Sequence, residues 1–256
     1  MLLTVLGCSG SLPGPGAPAS GYLLEAEGFL MAVELGPGTL AELQARRDPF
    51  QLDALAFSHL HADHCSDFSS LAVLRRYHPA PTRDPREHPL PVHAPSTAPR
   101  RFAMAYATSD EELLETDHTD VFTFHPWTPG PVEIGPFTVR TAPAAHPCES
   151  YSLAITHDGR TLVYTGDTGP NPALSALTAG ADVLLTEASW THADDRPADL
   201  HLSGTQAGEL ATTSGVSRVL VTHIPPWSDA DAIMAEVKAA YAGDAERVEQ
   251  GVTYTI

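Results

Sequence analysis

Basic side chains are scarce in this chain. Its 256 residues carry 14 Lys and Arg against 32 Asp and Glu, a formal charge of −18 with His neutral. No basic cluster exceeds the pairs Arg46-Arg47, Arg75-Arg76 and Arg100-Arg101. Affinity for nucleic acid is built largely from Lys and Arg neutralising phosphates, so this composition is poorly suited to gripping a duplex or the body of a tRNA. Cysteine is scarce too. Cys8, Cys65 and Cys148 are an odd set, which argues against a disulfide framework and for reduced, small packing residues. Long apolar runs are missing altogether, and none approaches the ~20 residues that cross a bilayer. Met1 to Gly7 lack the basic start and apolar stretch of a secretory signal, so the expectation is a soluble, cytoplasmic protein with no membrane partner.

What is present is an interleaving of strand and helix signals over one domain, residues 1–256. Runs of aliphatic and β-branched residues bounded by Gly and Pro predict strands at 2–7, 21–26, 29–35 and 53–58. Helical spacing marks 39–47 and 67–78, and the prolines of 79–99 predict a connection before a helix at 99–107. After an acidic patch at 110–120, strands are expected at 121–124, 132–134, 137–141, 151–156 and 161–165. Helices at 172–178, 205–214 and 229–241 then alternate with strands at 183–186, 218–222 and 252–256. Two strand-rich halves with helices outside each imply an α/β fold of four layers, αββα. No repeat of fixed period is apparent.

The chemistry concentrates in Ser58-His59-Leu60-His61-Ala62-Asp63-His64, directly after the apolar stretch 52–57. Imidazole nitrogen and carboxylate oxygen are ligands for borderline divalent metals, and a short loop after a buried strand can aim all four inward. Three further residues stand at strand ends: His146 after Ala142-Pro143-Ala144-Ala145, Asp167 in Gly166-Asp167-Thr168, and His223 after Val219-Leu220-Val221-Thr222. Rigid sheets gather reactive groups at such ends.

The order H-x-H-x-D-H, His, Gly-Asp-Thr, His resembles the metallo-β-lactamase superfamily, in the branch shared by tRNA 3′-processing ribonucleases and metal-dependent cyclic nucleotide phosphodiesterases. More narrowly, Leu6-Gly7-Cys8-Ser9-Gly10-Ser11, Pro18 to Leu24, Glu187-Ala188-Ser189-Trp190-Thr191-His192, His201-Leu202-Ser203-Gly204-Thr205 and Thr222 to Trp227 are similar to actinobacterial atypical class II cyclic-AMP phosphodiesterases. That resemblance implies the four-layer αββα metallo-β-lactamase sandwich, two divalent ions (zinc or manganese) and usually a homodimer. It also implies a ligand set: His59, His61 and His146 for one ion, Asp63, His64 and His223 for the second, with Asp167 bridging. A carboxylate suits the bridge because two cations at about 3.5–4 Å can share, and acidify, one water.

Asp63 could also orient that water, and His201 is the candidate proton donor to the leaving oxygen. Glu187 is read as a residue that orients a histidine or as an ordinary structural glutamate. Ser9, Gly10 and Ser11 could offer backbone N–H groups to a phosphate, while Trp190 and Trp227 are expected to pack near the rim, with stacking on a base as the alternative. The processing ribonucleases carry an arm for tRNA, in many of them inserted between the third-motif His and the bridging Asp. His146 and Asp167 are here only 21 residues apart, room for a hairpin. Together with the charge, this points to a small anionic nucleotide, cyclic AMP, as substrate, with tRNA disfavoured. A ribose cyclic phosphate or a short RNA 3′ end would use the same ligands.

Overall fold

Period-two alternation sorts the strand side chains into separate cores. The computed structural model describes residues 1–256. Its first half runs β1 (Leu2–Gly7), β2 (Gly21–Ala26), β3 (Phe29–Val33), α1 (Thr39–Arg46), β4 (Ala54–Ala56), α2 (Ala62–Cys65), α3 (Phe68–Tyr77), β5 (Leu90–Ala94), α4 (Ala98–Tyr106), α5 (Asp110–Glu115) and β6 (Phe122–Pro126). The second half runs β7 (Val132–Ile134), β8 (Phe137–Pro143), β9 (Tyr151–His157), β10 (Arg160–Tyr164), α6 (Pro172–Thr178), β11 (Val183–Glu187), α7 (Gly204–Ser214), β12 (Arg218–Thr222), α8 (Ala230–Ala240), β13 (Asp244–Arg247) and β14 (Thr253–Thr255). The strands form two seven-stranded sheets, ordered β14-β1-β2-β3-β4-β5-β6 and β13-β12-β11-β10-β9-β8-β7.

Tyr22, Leu24, Met31, Val33, Ala54 and Ala56 point between the sheets, where they meet Leu153, Ile155, Leu162, Tyr164 and Leu185. Their neighbours Leu23, Leu30, Ala32, Leu55 and Phe57 face the opposite way, against Leu40, Leu43, Phe68, Leu71 and Phe102 of the helices. Ala154, Val163, Leu184, Val219 and Val221 do the same in the second half, against α6, α7 and α8. Three apolar interfaces therefore separate four layers, the predicted αββα sandwich.

Each half repeats one plan. β1, β2 and β3 are antiparallel and β3 to β6 parallel. β7 to β10 are antiparallel and β10 to β13 parallel. The plan is repeated without a repeat in sequence. No helix is long and apolar enough to cross a membrane.

Four readings change. The proline-rich stretch 79–99 is not only a connection, because it contains β5, an interior strand between β4 and β6. Pro91 is tolerated because pairing with β4 begins one residue later, at Leu55↔Val92. The acidic patch holds α5, whose N-cap Ser109 accepts from Glu112 N–H while Asp110, Glu111 and Glu112 face the positive helix end. Cys148 is exposed and Cys8 half-buried, so only Cys65 is a buried packing thiol. Burial pushes that thiol up to about 12. Trp227 does not pack, being 66% exposed.

Candidate metal centre

The site forms where four strands end. His59 to His64 follow β4 and lead into α2, His146 follows β8, Asp167 follows β10, and His223 follows β12. All seven side chains come together. Ligand atoms of His59, His61 and His146 lie within 4.8 Å of one another, and those of Asp63, His64, Asp167 and His223 do likewise. His61 Nδ1 is 3.0 Å from both His59 Nε2 and His146 Nε2. His64 Nε2 and His223 Nε2 are 3.3 Å apart, and Asp63 Oδ2 sits 3.2 Å from the latter.

Asp167 faces both groups. Its Oδ1 is 3.2 Å from His64 Nε2 and 3.3 Å from His223 Nε2, while Oδ2 is 3.8 Å from His59 Nε2.

Four of the five imidazoles have an identifiable neighbour at Nδ1. Ser58 Oγ lies 3.0 Å from His59 Nδ1, the Leu200 carbonyl 3.0 Å from His146 Nδ1, and Ser189 Oγ 3.2 Å from His223 Nδ1. Buried Glu34 accepts from Ser58 N–H and places Oε1 3.7 Å from His64 Nδ1. Nδ1 is hydrogen-bonded in His59, His146 and His223 and faces the Glu34 carboxylate in His64, so Nε2 turns inward on these four, while His61 alone presents Nδ1. Ser58 and Ser189 lie within the sequence motifs without a role assigned to them, and Glu34 lies outside every motif.

Electrostatics favour a cation here. Burial would raise the carboxyls of Asp63 and Asp167, yet hydrogen bonds and charge from His223 and His64 hold Asp63, and the charges of His223, His64 and His59 hold Asp167, well below the usual carboxylate range. Burial pushes His59 far below its ordinary value, leaving a neutral lone pair, and lowers His146 as well. His64 goes up despite burial, because Asp167, Asp63 and Glu34 demand positive charge beside it. Only histidines stand within ion-pair distance of the two aspartates. Asp167 Oδ1 is buried without a hydrogen-bond donor. Buried carboxylates lacking Lys or Arg, converging with imidazole nitrogens, fit divalent metal ions.

Behind this cluster, buried Glu187 accepts from Thr168 N–H (2.6 Å) and Ser189 Oγ (2.8 Å) and holds His201 Nδ1 at 3.0 Å. Against the opposing effect of burial, the Glu187 charge and hydrogen bond raise His201 to about 9. Glu187 therefore orients a histidine and is no surface glutamate.

The β1–β2 loop closes the site from another side. Ser9 bridges Ile224, and Ser11, at φ 64°, brings its N–H 3.4 Å from His223 Nε2. Gly10 is required there, since a Cβ would come 2.3 Å from the His223 carbonyl oxygen. His223 itself adopts φ 56°, a conformation that a non-glycine residue keeps only where its surroundings enforce it.

Residues 33–224 match the family described as beta-lactamase superfamily domain. The chain belongs to that superfamily. It is 45% identical to an uncharacterized protein of Mycobacterium leprae, covering 99% of this chain and 88% of that one. The probable metallo-hydrolase YhfI of Bacillus subtilis is 27% identical over 99% of both. The YhfI crystal structure matches with a TM-score of 0.85 at 25% identity, covering 99% of this chain and 98% of that chain. Ribonuclease Z of Mycolicibacterium gilvum is 30% identical, over 88% of this chain and 84% of that one. A beta-lactamase superfamily member with this His/Asp cluster is a metallo-hydrolase, and a relative of ribonuclease Z.

Proposed function

We propose that the chain is a metal-dependent phosphodiesterase acting on a small cyclic nucleotide, 3′,5′-cyclic AMP. In this reading His59, His61 and His146 hold one divalent ion, Asp63, His64 and His223 a second, zinc or manganese, and Asp167 serves both. The observation that carries it is Asp167, with one oxygen toward each histidine group. Bound cations would neutralise the phosphodiester and lower the pKa of a water between them.

The chain's own groups supply the rest. Asp63, kept ionised and 8% exposed, can accept a hydrogen bond from attacking water and set its direction. The Ser11 N–H aims at the same space and can donate to a phosphate oxygen. His201, its Nδ1 fixed by Glu187, keeps Nε2 to hand a proton to the ribose oxygen as the P–O bond breaks. The segment between His146 and Asp167 is the β9–β10 hairpin and holds no arm for tRNA. Arg100 and Arg101 line a cleft of about 290 Å³ beside His61, a local attraction for a small anion on an otherwise acidic molecule.

The test is turnover of metal-loaded protein on cyclic AMP, cyclic GMP, a ribose cyclic phosphate and a tRNA precursor, alongside metal analysis. Release of AMP, with about two metal ions per chain, is expected. Faster cleavage of the tRNA precursor or the ribose cyclic phosphate would move the chain to those activities instead.

A further inference from the structure

Beside the metal centre, on the His201 side, lies a cleft of about 490 Å³, within the roughly 300–1,000 Å³ range of small-molecule sites. His201, Ser11, Trp190, Arg196 and Trp227 line it. Ser11 and His201 tie the cleft to the phosphate position, and His201 marks the side on which the sugar would leave. A group attached to that sugar has room to extend into this cleft.

The two tryptophans differ in what they have left to offer. The Arg196 guanidinium covers Trp190 at 5.4 Å, and the His201 ring stands edge-on to it at 5.2 Å and 80°. Its indole Nε1 is buried without a partner, so Trp190 has no accessible donor to offer a ligand. Trp227 has no aromatic or cationic neighbour across its ring and is 66% exposed. Single exposed apolar side chains are ordinary. This one stands four residues past His223, directly after Ile224-Pro225-Pro226, where two prolines restrict the backbone, and it lines the cleft. An uncovered indole beside a nucleotide site is a platform for a base, because every base has a π-face.

We propose that this cleft is the nucleobase seat, with Trp227 stacked on the base and Trp190 forming part of the cleft wall. Trp227 is a specificity residue, acting on substrate binding rather than on the bond that breaks. The inference rests on the nucleotide phosphodiesterase reading.

The test compares cyclic AMP with methyl riboside 3′,5′-cyclic phosphate, which keeps the ring and the phosphate but has no base. In metal-loaded W227A the ratio of kcat/KM for cyclic AMP to that for the base-free analogue should fall roughly tenfold, as expected for one lost stacking partner. Most of that change should appear in KM for cyclic AMP, and W227F should recover most of it. Calorimetric Kd for AMP should weaken in W227A by a similar factor. If wild type turns over cyclic AMP and W227A leaves the ratio unchanged, the base seat is wrong and the phosphodiesterase reading stands. If wild type turns over neither cyclic phosphate, the phosphodiesterase reading fails. The AMP titration then decides the seat by itself, an unchanged Kd in W227A overturning it.

Discussion

His201 depends on a neighbour for its place. Glu187 is buried at the end of β11, with two other donors already on its carboxylate, so it holds His201 Nδ1 in a fixed direction without being free to follow it. A positioned acid contributes about 10²-fold to 10⁴-fold, and His201→Ala should cut kcat by a factor of ~10² or more. Metal content should stay at the wild-type level, because the seven proposed ligands are untouched. Emission spectrometry of the purified variant together with single-turnover kinetics checks both halves, and an unchanged kcat removes His201 from the reaction. The ligands themselves were readable because His and Asp crowd at strand ends, where chance seldom places so many. Ser58 and Ser189 had no such signal: a serine has no spacing signature of its own, and Ser189 meets His223 only through tertiary folding.

At the scale of elements, legibility followed side-chain alternation. β2, β3, β9 and β10 could be read because apolar residues run along them between Gly and Pro punctuation. β13 could not: Asp244-Ala245-Glu246-Arg247 closes the sheet edge with a single small apolar residue. β5 was hidden by its prolines, and α2 is four residues long. β5 also places His93 opposite His125 of β6, the rings 5.0 Å apart and stacked. Burial, and secondly the like charge of His125, hold His93 down to about 4, below the ordinary value of about 6.5. The unfolded chain therefore takes up this proton first. The associated stability is complete above about pH 6.5 and is lost as pH falls toward 4. Urea midpoints from pH 7.5 to 4.5 should drop less steeply in His93→Gln than in the parent, the difference isolating this pair from the other histidines. Parallel curves would refute the assignment.

Across the whole molecule, the candidate ligands leave carboxylates and imidazoles crowded at the joint between the two sheets. A cation that binds only the folded chain stabilises it by about 2.7 kcal/mol at a hundred times its Kd. For a chain of this size that corresponds to roughly 5–10 °C in Tm. Scanning calorimetry with zinc or manganese against a chelated sample should show a rise of that order, and no rise would mean that the cluster holds neither ion.

Each histidine group draws on both halves of the chain: His59 and His61 need His146, while Asp63 and His64 need Asp167 and His223. Meanwhile β14, at the far C-terminus, returns to pair with β1. A break in the β6–β7 linker would thus yield two pieces, neither owning a full coordination set, and one of them carrying the border strand of the other. Such fragments would have to dock before either could retain an ion, so loading would report reassembly.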